Sequence, residues 1–248
     1  MKIQSCIVFG WALLLGVAAA CADDFMPVLV LNDTNQAPFT TPDQKGFLDA
    51  VASEAFRRAG TKLRLVKLPA ERALLNANAG IEDGDLTRIA GLETQYPNLI
   101  RVPEKLIDWD FMAFSKDPAM VAHWDSIRQR QVGYIKGWKI YEQRLAGAPH
   151  AINVDDAPQL FRLLDLNRVD VVLYTRWMGE ALLRQQGIPG VHALEPALAT
   201  REMFIYLHKK HALLVPKLTA ALRAIKAEGL YDKLYREKVL SLMGSGAK

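Results

Sequence analysis

Cysteine is almost missing from this chain: of 248 residues only Cys6 and Cys21 carry a thiol, both close to the N-terminus. A cut after Ala22 would remove both, leaving no disulfide, cysteine-zinc site or thiol nucleophile. No apolar run is long enough to cross a bilayer, since the stretch from Cys6 to Val17 is about a dozen residues against the ~20 a spanning helix needs. The chain has no Gly-x-Ser-x-Gly nucleophile turn, no phosphate-cradling glycine loop and no His-Glu-x-x-His helix, so the common hydrolase, nucleotide and zinc-protease chemistries have no footprint. His208 and His211 lie three apart but are flanked by Lys209 and Lys210, a poor setting for a metal cation. A basic stripe is also lacking: 31 Lys and Arg against 27 Asp and Glu are interspersed, which gives no nucleic-acid footprint.

What is present begins with a leader. Met1-Lys2, an apolar stretch and Ala20-Cys21-Ala22 before Asp23 read as a secretory signal peptide over residues 1–22, which places the mature protein in the periplasm. Lipidation of Cys21 is the alternative, although Ala18 stands where such signals usually carry Leu. The remainder is half apolar and long enough for one large domain or two lobes. Its pattern alternates. Pro27 to Leu31 reads as a buried strand, Asn32 to Lys45 as a turn-rich loop, and Phe47, Leu48, Val51, Ala52, Ala55 and Phe56 recur at helical spacing. Strands at 63–68 and 85–89, a helix at 70–79 and a further apolar segment at 106–115 complete a first half.

The alternation restarts after Lys116-Asp117-Pro118, with strands at 131–135, 151–154 and 169–174 and helices at 140–145, 157–166 and 177–186. An extended run at 202–207 and helices over 213–228 and 230–240 finish the chain. The expected fold is therefore an α/β two-lobed clamp with mostly parallel sheets. Residues 23–114 form the first part of lobe 1, 115–200 lobe 2, and 201–248 the return to lobe 1 with the C-terminal helices. Ligands of such sheets sit beyond the carboxyl ends of the strands, which places a site between the lobes.

Several landmarks occur in a telling order: Ala37-Pro38-Phe39, Gly46-Phe47-Leu48-Asp49, Leu68-Pro69-Ala70-Glu71-Arg72-Ala73, Asp83-Gly84-Asp85, Val132-Gly133-Tyr134-Ile135-Lys136-Gly137 and Asn167-Arg168-Val169-Asp170. The set resembles the bacterial family 3 periplasmic solute-binding proteins, best known as receptors of polar amino-acid ABC transporters, and covers Met26 to about Leu240. The resemblance implies two lobes joined by two crossing strands and a ligand buried on closure. It also implies a first-lobe arginine on the ligand carboxylate, a position near Arg88, and an aspartate for its ammonium at the end of the last second-lobe strand. That second position reads Leu173-Tyr174-Thr175, so the aspartate is missing and an organic acid is as plausible a ligand as an amino acid.

Arg88 and Arg72 are the candidate anion contacts, because a guanidinium matches a carboxylate bidentately. Phe39, Trp109 and Trp138 offer aromatic faces, and Thr175 a hydroxyl at a strand end. Gly137 and Trp138 open a helix whose amides would suit an anion. No cofactor, metal or nucleic acid is expected, and the protein is expected to be a monomeric binding protein, not an enzyme, delivering a small polar ligand to an inner-membrane ABC permease by hinge closure. Two other readings keep the clamp: a sensor for a membrane signalling protein, and a periplasmic enzyme like the cyclohexadienyl dehydratases, with Glu71 and Asp85 as acid or base.

Overall fold

The computed structural model describes residues 26–241; the expected leader, with Cys6 and Cys21, lies outside them. The first half builds β1 (Val28–Asp33), α1 (Phe47–Arg58), β2 (Lys62–Lys67), α2 (Ala70–Ala79) and β3 (Gly84–Ile89), followed by a short β4 (Leu99–Arg101). A nine-residue strand, β5 (Ile107–Ser115), carries the chain into the second half. There it forms α3 (Trp124–Ile127), β6 (Val132–Ile135), α4 (Lys139–Arg144), β7 (Ala151–Val154), α5 (Ala157–Asp165), β8 (Val171–Thr175) and α6 (Arg176–Gln186). The 17-residue β9 (His192–His208) returns it, and α7 (Val215–Ala227) and α8 (Leu230–Tyr235) close the fold.

Local chemistry explains the elements. Helix α1 buries Phe47, Leu48, Val51, Ala52, Ala55 and Phe56 on one face. Its start is fixed by Asp49, whose carboxylate accepts the amides of Gly46 and Thr41 at 2.9 Å each. Gly46 is needed there because a Cβ would fall 2.4 Å from the carbonyl oxygen of Phe39. Helix α5 begins with Asp156 accepting the amide of Gln159 at 2.8 Å.

All nine strands join one sheet in the order β2-β1-β3-β9-β5-β8-β6-β7, with β4 on β9. Within each lobe the neighbours β1·β2, β1·β3, β6·β7 and β6·β8 are parallel, as the alternating pattern requires. The middle is antiparallel: β5 and β9 cross between the lobes side by side, pairing Ile107 with Met203 at one end and Ser115 with His192 at the other. The expectation of a mostly parallel sheet thus holds lobe by lobe and gives way at these two strands. Their register shifts between Phe111 and Ala113, where β9 carries extra residues around Glu195-Pro196. The hydrophobic core is continuous from Leu31, Phe47 and Leu86 in lobe 1 through Phe111 and Phe114 to Val132, Leu160 and Val172 in lobe 2.

Candidate ligand site between the lobes

The carboxyl ends of β1, β2 and β3 face lobe 2 and carry a polar network, buried but for the half-exposed side chain of Lys67. Asp33 at the end of β1 binds Lys67 at the end of β2 and accepts the Asn35 amide nitrogen at 2.7 Å. Lys67 also reaches the carbonyl of Asn35, and Thr40 at 2.7 Å. Asn35 in turn donates to the Thr87 hydroxyl at 2.8 Å. These groups fix one another before any solute enters, which is what a preorganised polar wall requires.

Arg88, on β3, is 6 % exposed. Its Nη2 donates to Asp85 Oδ2 at 2.7 Å and to the carbonyl of Ala70 at 3.0 Å, while Nη1 reaches the carbonyl of Gly137, in lobe 2, at 3.5 Å. Nε has no acceptor. Asp85 is fully buried, and that burial raises its pKa against the lowering pull of Arg88.

Lobe 2 answers with Gly137, Trp138 and Lys139. Gly137 has φ +85°, and a Cβ on it would lie 2.3 Å from the Glu71 amide nitrogen at the start of α2. The neighbouring Lys139 bridges the lobes, bonding Glu71 at 2.7 Å and Glu142 at 2.8 Å. Burial alone would lower the pKa of Lys139; the hydrogen bonds to Glu142 and Glu71 outweigh it and raise the value. Trp138 stacks on Tyr174 with ring centres 5.0 Å apart and on Tyr141 at 5.8 Å.

Two chambers result. The inner one, a small recess of about 40 Å³ open on one side, has Arg88, Trp109, Phe111, Trp138, Met178 and Met203 among its walls. The outer groove, about 800 Å³, runs past Asp33, Lys67, Trp138, Asp155, Asp156 and Tyr174. Thr34, Asn35, Trp138 and Met178 line both, so a small acid in the groove can turn its carboxylate toward the arginine of the recess.

Of the six residues singled out from sequence, the structure brings Arg88, Trp109 and Trp138 together on the inner wall. Phe39 is fully buried instead, its ring edge-on to Trp109 at 4.4 Å, so it supports the wall from behind. Thr175 is 1 % exposed with an unpartnered hydroxyl, and lines neither chamber. Arg72 is exposed on α2 and lines neither. The Gly137 amide expected for an anion is taken by Glu142 at 2.7 Å. His211 binds Asp83 at 2.6 Å, and no group of three or more metal-ligating side chains occurs among the described residues. The polar network of Asp33, Asn35, Lys67 and Thr87 went unnoticed in the sequence; its one signal is that Asp33 and Lys67 end strands and Asn35 closely follows one, while Thr87 lies within β3. No helix among the described residues is long and apolar enough to cross a membrane.

No family model matches this chain. A curated relative, an uncharacterized protein of Shewanella oneidensis, is 26 % identical over 197 residues, covering 75 % of this chain and 73 % of its own. Among solved structures, the amino-acid ABC transporter substrate-binding protein AbpA from Streptococcus pneumoniae, bound to L-arginine, is similar with TM-score 0.71 and 16 % identity, over 85 % of this chain and 94 % of its own. A histidine kinase sensor domain with similarity to periplasmic binding proteins matches with TM-score 0.74 and 15 % identity, over 87 % and 96 %. The fold is that of the two-lobed periplasmic binding proteins. Within that class the chain is similar in architecture to the amino-acid ABC substrate-binding proteins, at sequence identities that mark it as divergent.

Proposed function

We propose that this protein is a periplasmic solute-binding protein that closes its lobes on a small polar ligand, an amino acid or organic acid, and delivers it as a monomer to an inner-membrane ABC permease. The observation that carries the reading is Arg88: a first-lobe guanidinium with donors to spare, on the wall of a chamber that the second lobe completes. Contacts from both lobes stabilise the closed state relative to the open one, and that differential alone drives closure. The expected leader supports a periplasmic location.

A thermal-shift screen of the purified protein against amino acids, organic acids and amines tests this. A ligand present at ~100 times its Kd stabilises the folded state by about 2.7 kcal/mol. A rise in the melting midpoint that Arg88→Ala abolishes is the expected outcome; no response from ligand-stripped protein across the panel would sink the proposal. The likeness to a kinase sensor domain favours a second reading, in which the closed form is read by a membrane signalling protein. Loss of uptake on deletion, against loss of a transcriptional response, separates the two. An enzyme reading finds less support: Glu71 is bound to Lys139 and Asp85 to Arg88, and the inner chamber's walls carry no carboxylate.

A further inference from the structure

Resting on the reading that the interlobe chamber holds a solute, we propose that its ligand is a small monocarboxylate with a flat apolar or aromatic body and no ammonium group. The wall of the inner chamber carries two cations, the neutral polar side chains of Thr34, Asn35 and Thr87, and an apolar face. One guanidinium, that of Arg88, is held from behind through Nη2 by Asp85 and Ala70, while Nε has no acceptor and Nη1 has only a 3.5 Å contact. A guanidinium held in place with an unpartnered Nε–H and only a long contact on Nη1 is suited to receive a carboxylate. The other cation, Lys139, is spent on Glu71 and Glu142.

That wall offers an ammonium only neutral oxygen acceptors and no counter-charge. No Asp or Glu lines it, and the carboxylate nearest in sequence to Arg88, Asp85, is fully buried and already bonded to the guanidinium. Asn35 is committed to Asp33 and Thr87. An ammonium drawn in would lose its water without gaining a counter-charge, and would lie in a pocket with two cations on its wall. Apart from the two cations and from Thr34, Asn35, Thr87 and Gly137, the remaining side chains, Trp109, Phe111, Trp138, Met178 and Met203 among them, are apolar and suit a ring or a short apolar chain. Carboxylates that could serve a cationic ligand, Asp33, Asp155 and Asp156, line the outer groove instead.

The test is titration calorimetry on the protein after unfolding and refolding to strip bound solute. The probes are hydrocinnamate, L-phenylalanine, which adds only an ammonium, phenethylamine, which lacks the carboxylate, and L-arginine. Hydrocinnamate is expected to bind at least tenfold more tightly than L-phenylalanine, to change tryptophan emission, and to lose its affinity in Arg88→Gln. Phenethylamine is expected not to bind. Should Arg88→Gln fail to fold, Trp138→Leu serves, with affinity for hydrocinnamate expected to fall at least tenfold. L-phenylalanine or L-arginine binding more tightly than hydrocinnamate would overturn the ligand class and leave solute capture standing. Binding of none of the four overturns it too, and capture of some other solute in the wider screen then separates that failure from failure of the clamp itself.

Discussion

Gly137 sits at φ +85° with its Cα pressed against the first turn of α2, so two separate constraints meet on one residue. The left-handed backbone costs a non-glycine residue about 1–2 kcal/mol in any lobe arrangement. The clash of a new Cβ with the Glu71 backbone lies between the lobes, so it falls on the arrangement in which they touch here. Gly137→Ala is therefore expected to lower the melting midpoint modestly and to weaken ligand binding by more than tenfold, with a larger radius of gyration by small-angle scattering in the presence of ligand. Unchanged affinity would mean the lobes do not close through this contact. Thr175 offers the opposite test, because its buried hydroxyl has no partner. Thr175→Val removes that cost and is expected to raise stability by about 1 kcal/mol, roughly 2–4 °C in midpoint for a chain of this size, with binding unchanged. A fall in affinity would instead place the hydroxyl on the ligand. The sequence could nominate Arg88, Trp109 and Trp138 by residue type and position, but not the closeness of Gly137 to Glu71 or the burial of Phe39, since both depend on contacts between distant stretches of chain.

Between elements, the clasp of α4 on α2 is an ion triad. Lys139 is nearly buried and holds Glu71 and Glu142, each about a quarter exposed. Lys139→Met leaves both carboxylates without their cation, and their partial exposure limits the cost to about 1–2 kcal/mol. Because Glu71 belongs to lobe 1, the loss falls on the closed state, and roughly tenfold weaker binding is expected by calorimetry; Glu71→Gln in the Lys139→Met background should add little. A second cross-link ties α1 to α7, where Arg58 binds Glu228 with two hydrogen bonds of 2.8 Å and Glu54 with a third. Hydrogen bonds from Arg57 and then Arg58 outweigh partial burial and hold Glu54 at about 2, below its usual 4.5. A depressed carboxylate contributes stability that is present above its unfolded value and lost as pH falls through the folded one. The gap in melting midpoint between the native chain and Glu54→Gln should thus be full at pH 6 and close between about pH 4.5 and 2; a gap constant with pH would overturn it. Most helices and strands of both lobes were legible, as where α1, α5 and β8 bury an apolar face, but the four-residue α3 was not. Nor was the first half of β9, since of His192 to Leu198 only Leu194 is buried, the stretch lacks alternation and it bulges around Glu195-Pro196. Strand β4, three residues on an edge, is too short for any period.

For the whole molecule the question is whether two lobes unfold as one. Two lobes linked by flexible loops would melt independently, but here β5 and β9 run through both, and the apolar cluster they carry is unbroken from Leu31 to Leu160. Arg176, first residue of α6, adds a brace: it binds Glu195 of β9 at 2.5 and 3.1 Å and Asp110 of β5 at 3.4 Å, and Asp110 accepts the Thr200 hydroxyl at 2.6 Å. Exposing the second lobe's face of Phe111 and Phe114 would therefore strip packing from the first. Calorimetry is expected to record a single transition, with the van't Hoff enthalpy equal to the calorimetric one, in the absence as well as the presence of ligand. Ligand should move that transition upward as one peak, because a solute touching both lobes stabilises the shared unit. Two resolved peaks, of which ligand shifts only one, would mean that the crossing strands act as a hinge alone and that the continuous core does not couple the lobes.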